Sequence, residues 1–105
     1  MIPRSERRRR PTHPGESLLY DVIEPLGMTQ TEFAARLGIS YPRLNEIING
    51  KRGITPDTAL RIAAFLGTGP EIWLNLQQAV DLWDAQHSPR TARALKKIER
   101  IKQPA

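Results

Sequence analysis

The chain has 105 residues and no cysteine, so it has room for one domain with a modest core and cannot form disulfides or thiolate metal sites. It contains no apolar run of membrane-spanning length and no signal-peptide core, which predicts a cytoplasmic protein. The net charge of +5 resides in residues 1–10 and 88–105, since residues 11–87 are acidic, and charge alone therefore does not support DNA binding by the centre.

Residues that start and stop helices predict the first two elements. The apolar pairs of residues 15–24 indicate a first helix, which Pro25 stops. A second helix begins at Thr29, where Glu32 three residues later completes the pattern of a capping box. Gly38 supplies the left-handed conformation that ends this helix.

Three further helices and a basic sixth segment follow, each preceded by a capping residue or a proline. The helix after Ser40 covers 41–49 and stops at Gly50. The fourth helix begins with Thr55 as cap and Pro56 as its first residue, and it ends at Gly67. The fifth begins at Pro70 and ends at about Gln86, and the sixth segment begins with Ser88 as cap and Pro89 as its first residue. The basic segment has few apolar residues and is marginal as an isolated helix. Because the alternation typical of strands is never sustained, the chain is predicted to be all-α.

Residues 29–50 place two short helices on either side of Gly38, Ile39 and Ser40, which is the spacing of a helix-turn-helix. The positions expected in its core are Phe33, Ala34, Leu37, Ile39, Leu44, Ile47 and Ile48. Burying them turns the front edge of the second of these helices outward, as a recognition helix presents it to the major groove. Two short helices joined by a glycine turn also occur in many bundles, so a purely structural role stays open.

Three longer motifs occur in order, namely HPGE at 13–16, INGKRGITPDTALRIA at 48–63 and PEIWLNLQ at 70–77. With them, the chain from residue 13 to about Asp84 resembles the HigA-type antitoxin branch of the Cro/repressor-like (XRE) helix-turn-helix family. The resemblance implies a compact five-helix, lambda-repressor-like helix-turn-helix domain with basic N- and C-terminal extensions. It also implies a dimer that represses its own operon from an inverted repeat in promoter DNA and neutralises a HigB/RelE-like ribonuclease toxin.

The candidate DNA-binding residues lie at the start of the second helix, along the third helix and just after it. From the pattern alone, Gln30 in a first helical turn can meet a phosphate, and Lys51 and Arg52 can reach the DNA backbone. The resemblance implies DNA contacts for Gln30 and for exposed residues of the third helix. The complete set is Thr29, Gln30, Ser40, Tyr41, Pro42, Arg43, Asn45, Asn49, Lys51 and Arg52. Since Pro42 offers no side-chain hydrogen bond, the operator cannot be read from the family pattern.

The fifth predicted helix has more apolar residues than one buried stripe requires. Either this helix is covered on all sides within the domain, or a second face meets another chain. We predict a homodimer with an interface formed by Ile72, Trp73, Leu76, Ala79, Val80 and Trp83. A two-fold dimer would also recognise half-sites about one helical turn apart.

The charge distribution predicts three segments, which are a flexible basic arm over 1–12, a helix-turn-helix and dimerisation domain over 13–87, and a basic helix or tail over 88–105. Each basic end is either a solvated tail or a source of non-specific DNA affinity. Acidic residues of the centre offer an electrostatic match for a basic toxin, or are ordinary solvated residues. These acidic residues include Glu71, Asp81 and Asp84.

No residue pattern suits catalysis. His13 and His87 stand alone, without partners at metal-ligand spacing, and are expected to have structural or surface roles. With no nucleophile–base pair and no phosphate-binding glycine loop, we expect no enzymatic activity, metal or cofactor. Two other functions stay open: a stand-alone XRE-family transcriptional regulator without a toxin partner, and a protein-interaction module in which the helix-turn-helix is only scaffold.

Overall fold

The computed structural model describes residues 9–102, and this part of the chain forms six α-helices and no strand. They are α1 (Pro14–Leu18, continued by the π-helical segment Leu19–Ile23), α2 (Gln30–Leu37), α3 (Tyr41–Ile48), α4 (Pro56–Leu66), α5 (Glu71–Gln86) and α6 (Pro89–Lys96). The predicted all-α class, with five helices and a sixth basic one, is confirmed. Residues 1–8 and 103–105 lie outside the described part, so the predicted basic arm over 1–12 is described only from residue 9 onward.

Helices α2, α3, α4 and α6 begin where their capping residues predict. The hydroxyl of Thr29 accepts from the backbone N–H of Glu32 at 3.0 Å, and the Glu32 carboxylate accepts from the Thr29 backbone N–H at 3.3 Å, which completes the predicted capping box. The other three helices are capped in the same way by Ser40, Thr55 and Ser88. Gly38 ends α2 with a φ of 72°, a left-handed conformation that favours glycine.

The ends of α1 and α5 differ slightly from the prediction. The second half of the first helix is π-helical, and the N–H of Glu24 donates to the carbonyl of Leu19 at 3.0 Å, immediately before Pro25. Helix α5 begins at Glu71, one residue later than predicted, because Pro70 occupies the cap position without a side-chain hydrogen bond.

The cap of α1 is a histidine, which the sequence motifs do not predict. Nδ1 of His13 accepts from the backbone N–H of Gly15 at 2.9 Å. Serine, threonine, aspartate and asparagine are the usual residues at this position, so histidine is easily overlooked there. The expected structural role of His13 is therefore confirmed, and it consists of starting the first helix.

We expect folding stability to fall as the pH drops below about 6.5, the ordinary pKa of histidine. Partial burial and the neighbouring Arg10 lower the pKa of His13 in the folded chain, against the opposite influence of Asp81, Asp84 and Glu16. Because the unfolded chain then binds the proton more readily, the stabilisation is complete above the unfolded pKa and is lost as the pH falls through the folded pKa. Nδ1 must also stay unprotonated to accept the hydrogen bond of the cap.

Melting temperatures at about pH 7.5 and about pH 5.5 measure this effect. The matched variant is His13→Asn, because asparagine caps helices well and does not titrate. The melting temperature of the wild type should fall more between the two pH values than that of the variant. An equal fall in both proteins would show that His13 does not carry the pH dependence.

The core joins the first five helices. Five of the predicted core residues of the helix-turn-helix are buried, namely Phe33, Ala34, Leu37, Leu44 and Ile47, while Ile39 and Ile48 are half-buried against them. Helix α1 crosses α3 at Gly15, where an added Cβ would overlap the carbonyl oxygen of Ile47 and lie 2.6 Å from its carbonyl carbon. The absence of a side chain at Gly15 therefore sets how closely the two helices pack.

Helix α6 has no buried residue. The large apolar side chains on and after it, Leu95, Ile98 and Ile101, are all exposed. This agrees with the sparse apolar side seen in the sequence. In residues 9–102, no helix is long and apolar enough to cross a membrane.

Candidate DNA-binding surface

Helix α4 holds the turn between α2 and α3 in place. Nη1 of Arg61 donates to the carbonyls of Leu37 at 2.9 Å and Gly38 at 3.2 Å. These groups lie at the end of α2, where carbonyls have no partner within the helix. The turn is closed from the other side by the N–H of Ile39, which donates to the carbonyl of Ala34 at 3.0 Å. Arg61 thus ties the end of α2 and the start of the turn to α4.

A connected set of polar side chains lies on the outer edge of α2 and α3. Nδ2 of Asn45 donates to Oε1 of Gln30 at 3.2 Å and to the hydroxyl of Tyr41 at 3.5 Å. Nδ2 of Asn49 donates to Oδ1 of Asn45 at 3.1 Å and to its backbone carbonyl at 2.9 Å. We call these four residues, Gln30, Tyr41, Asn45 and Asn49, the polar row. Four of the ten predicted DNA-binding residues are thus brought together and oriented by one another.

The polar row is accessible from outside the domain. Tyr41 is 46% exposed, Asn49 is exposed, and Gln30 and Asn45 are half-buried. Since Gln30 accepts through Oε1, its NH2 group is left to donate outward. A row of amide and hydroxyl groups with fixed orientation can pair with base edges or with phosphate oxygens.

Arg43 lies against α4 instead of extending from the front edge. Its Nη2 donates to Oδ2 of Asp57 at 3.1 Å and to the hydroxyl of the buried Thr58 at 2.7 Å. The side chain is only 30% exposed. We call this contact of Arg43 with Asp57 and Thr58 the Arg43 latch. The sequence motifs predict an outward-facing arginine here, and they contain no sign of this contact.

Asp57 is shared by two arginines. Nε of Arg61 donates to the same Oδ2 at 2.9 Å. Hydrogen bonds from Arg61 and then from Arg43 lower the pKa of the Asp57 carboxyl below its ordinary value. Asp57 is therefore ionised at neutral pH, and it links the start of α3 to the residue that holds the turn.

The remaining predicted DNA-binding residues have different environments. The hydroxyls of Thr29 and Ser40 are engaged as helix caps. Pro42 and Lys51 are exposed, and Arg52 is paired with Glu46, whose Oε1 accepts from Nε at 2.9 Å. Pro42 is the second residue of α3, where no intrahelical N–H bond is lost, so it is compatible with the helix.

The loop that carries Lys51 and Arg52 is held against α5. Oε1 of Gln77 accepts from the backbone N–H of Ile54 at 2.8 Å, and Nε2 of Gln77 donates to Asp81 at 2.9 Å. The sequence predictions assign no role to Gln77. Its contact with the loop places the two basic residues beside the end of α3.

The predicted dimer interface needs one correction. Trp73 and Val80 are 5% and 1% exposed because they face the chain's own core, so they cannot form the contact with a second copy. Leu76, Ala79 and Trp83 are half-buried, Ile72 is 58% exposed, and Trp83 stacks on His87 with ring centroids 3.8 Å apart. An open groove of about 500 Å³ lies elsewhere on α5 and is lined by Ile54, Leu74, Gln77, Gln78, Asp81 and Leu82. The interface itself stays a prediction.

Two of the acidic residues proposed to match a basic toxin are already engaged. The carboxylate of Asp84 accepts from Nε and Nη2 of Arg10 at 2.8 and 2.9 Å, which lowers the pKa of Asp84. Asp81 accepts from Gln77, and Glu71 is exposed. Within residues 9–102, no group of three histidine, cysteine, aspartate or glutamate side chains could hold a metal ion.

Five packed helices, of which α2 and α3 form a braced two-helix unit with a polar row on its outer edge, define a helix-turn-helix protein. A model of the helix-turn-helix family matches residues 19–73. Antitoxin HigA-1 of Vibrio cholerae is 41% identical over 80 residues, which cover 76% of this chain and 75% of the relative. The uncharacterized HTH-type transcriptional regulator YbaQ of Escherichia coli is 40% identical over 93 residues, which cover 89% of this chain and 82% of the relative.

A solved structure has the same fold. The structure of Pseudomonas aeruginosa antitoxin HigA with the higBA promoter superimposes with a TM-score of 0.79 at 30% identity, and the match covers 88% of this chain and 99% of that one. The chain therefore belongs to the helix-turn-helix family, within the group that contains the HigA antitoxins.

Proposed function

We propose that the chain is the DNA-binding antitoxin of a type II toxin–antitoxin module. It binds an inverted repeat in its own promoter as a dimer, represses its operon, and neutralises a HigB/RelE-like ribonuclease toxin. The observation that carries this proposal is the polar row on the exposed edge of a braced helix-turn-helix, in a chain 41% identical to a HigA antitoxin. The chain acts by binding and has no catalytic role.

The chemistry of the polar row suits a DNA groove. An asparagine or glutamine amide can donate to or accept from DNA. Nδ2 of Asn45 already donates to Gln30 and Tyr41, so Asn45 orients the row, and the NH2 group of Gln30 and the hydroxyl of Tyr41 are left to pair with DNA. Gln30 lies in the first turn of α2, where its NH2 group and nearby backbone N–H groups can meet a phosphate. Tyr41 and Pro42 offer apolar surface to a thymine methyl group.

Binding of the chain to its own promoter fragment, measured by fluorescence anisotropy, tests the proposed DNA binding. We expect the promoter to bind about 1,000-fold more tightly than a shuffled fragment of the same composition. The logarithm of the association constant should fall linearly with the logarithm of the salt concentration between about 50 and about 200 mM, because bound lysines and arginines displace counterions from the phosphates. Absence of binding at the lower salt concentration would contradict the proposal.

A stand-alone regulator is the second candidate, and the 40% identity to the YbaQ regulator supports it. Co-expression with any small basic reading frame that neighbours the gene of this chain separates the two candidates. An antitoxin restores the growth of cells that express this reading frame, whereas a stand-alone regulator leaves their growth unchanged. The Asn45→Ala variant is the control, because it should lose promoter binding and still restore growth if toxin and DNA use different surfaces.

A further inference from the structure

The Arg43 latch uses a particular part of the guanidinium group. Arginine presents five N–H groups in a rigid planar fork, of which two belong to Nη2. Nη2 of Arg43 has two acceptors, Asp57 and Thr58, at 3.1 and 2.7 Å. Both of its N–H groups are therefore engaged within the protein.

This has a direct consequence for base recognition. Arginine reads a guanine with two parallel N–H groups directed at O6 and N7. The guanidinium group has two such pairs of parallel N–H groups: one pair is on Nη1 and Nη2, and the other is on Nε and Nη2. Each pair therefore needs one N–H group of Nη2. With Nη2 occupied, Arg43 retains single donors only, and single donors suit a phosphate oxygen and not a bidentate pair with guanine.

The partners of the latch are themselves held in place. Thr58 is 1% exposed and its backbone N–H donates to the hydroxyl of Thr55, so it belongs to the cap of α4. Asp57 is fixed by Arg61, which also holds the turn before α3. Because Arg43 is in the first turn of α3, the latch ties this turn to α4.

We propose that the Arg43 latch withholds Arg43 from base reading and makes it a positioning residue, so that operator selectivity comes from the polar row. Asp57 and Thr58 thereby determine specificity without contacting a base. The inference rests on the proposed DNA binding. In this proposal Arg43 orients α3, the recognition helix, and does not contact a base.

Selection of binding sites from a randomised DNA pool tests the proposal with four proteins: the wild type, Arg43→Ala, the double variant Asp57→Ala/Thr58→Val, and Asp21→Ala. The last variant removes an exposed carboxylate on the first helix and controls for the change in charge. Thermal melting establishes that each protein is folded. If the double variant does not fold, Asp57→Ala alone replaces it, because the side chain of Asp57 is 58% exposed and its removal leaves the core intact.

Arg43→Ala should select the same sequence as the wild type and bind every sequence several-fold more weakly. The double variant Asp57→Ala/Thr58→Val releases the latch. It should gain a preference of about 10-fold for guanine at one position of each half-site, because Nη2 is then free to complete a bidentate pair. A purely structural role of Arg43 does not predict this gain. Asp21→Ala should select the wild-type sequence.

Two results would overturn the proposal. If Arg43→Ala loses a guanine preference that the wild type has, Arg43 reads a base in spite of the latch. If the double variant Asp57→Ala/Thr58→Val gains no preference for guanine, the latch does not restrain Arg43. In both cases the wild type still selects a sequence, so the proposed DNA binding stands. A wild type that selects no sequence overturns the proposed function and this inference together.

Discussion

The Gly15→Ala variant is expected to lose about 3 kcal/mol or more of unfolding free energy, at the upper end of what overpacking costs. The new Cβ would meet the backbone of Ile47 and Ile48 and not the movable end of a side chain. Helices α1 and α3 would have to separate, which opens the core beneath Leu18 and Leu44. Urea unfolding followed by circular dichroism measures the loss.

Gly69→Ala is the matched control for this substitution. The nearest atoms to a Cβ at Gly69 belong to the side chain of Glu71, which is exposed and can rotate away. We expect this variant to remain within about 0.5 kcal/mol of the wild type, as is usual for surface substitutions. Equal stability of the two variants would show that the close approach of α1 to α3 does not determine the packing.

The Asn45→Ala variant is expected to lose promoter affinity by about 10- to 100-fold, the amount that one good contact to DNA provides, because Asn45 orients the free donors of the polar row. Asn45 is the central member of the polar row, so its removal also releases Gln30, Tyr41 and Asn49 from their fixed orientations. Its side chain is half-buried at the edge of the domain, and the melting temperature should change little. Fluorescence anisotropy with the promoter fragment measures the affinity.

A double-mutant cycle with Gln30→Ala measures whether the polar row acts as a unit. If Asn45 orients Gln30, the double variant should lose less affinity than the two single losses combined. Gln78→Ala on α5 is the control, because this exposed glutamine lies away from the helix-turn-helix. An affinity for Asn45→Ala that equals that of Gln78→Ala would show that Asn45 does not orient the groups that contact DNA.

Much of the fold is predicted because its signals are local. The capping box joins Thr29 and Glu32, three positions apart, and the left-handed stop at Gly38 concerns one residue. The core positions of α2 and α3 follow from helical spacing within a few turns. Each of these features depends on neighbours along the chain, which the sequence shows directly.

The features that the sequence does not predict join residues far apart in the chain. Arg61 contacts a carbonyl 24 positions away, and Gln77 holds a backbone N–H 23 positions away. The Arg43 latch joins residues 14 and 15 positions apart. Such contacts depend on how helices are placed against one another, which helix periodicity does not specify.

Helix α5 shows the same limit for buried surfaces. Its excess of apolar residues predicts either that the helix is covered on all sides or that a second face meets another chain. The residues assigned to a second chain include Trp73 and Val80, which instead face the core, while Leu82 remains exposed at 41%. Periodicity identifies the stripes of a helix but not the partner that covers each stripe.

The most direct test of the central claim is a titration of the nitrogen-15-labelled chain with its own promoter fragment, followed by nuclear magnetic resonance. The side-chain NH2 signals of Gln30, Asn45 and Asn49 report on the polar row, and that of Gln78 serves as a reference. We predict that the three signals of the polar row and the backbone amides of α3 shift together, while the signal of Gln78 stays unchanged. Shifts confined to Arg10 and residues 89–102 would contradict the account, because the basic ends would then bind DNA and the helix-turn-helix would be scaffold.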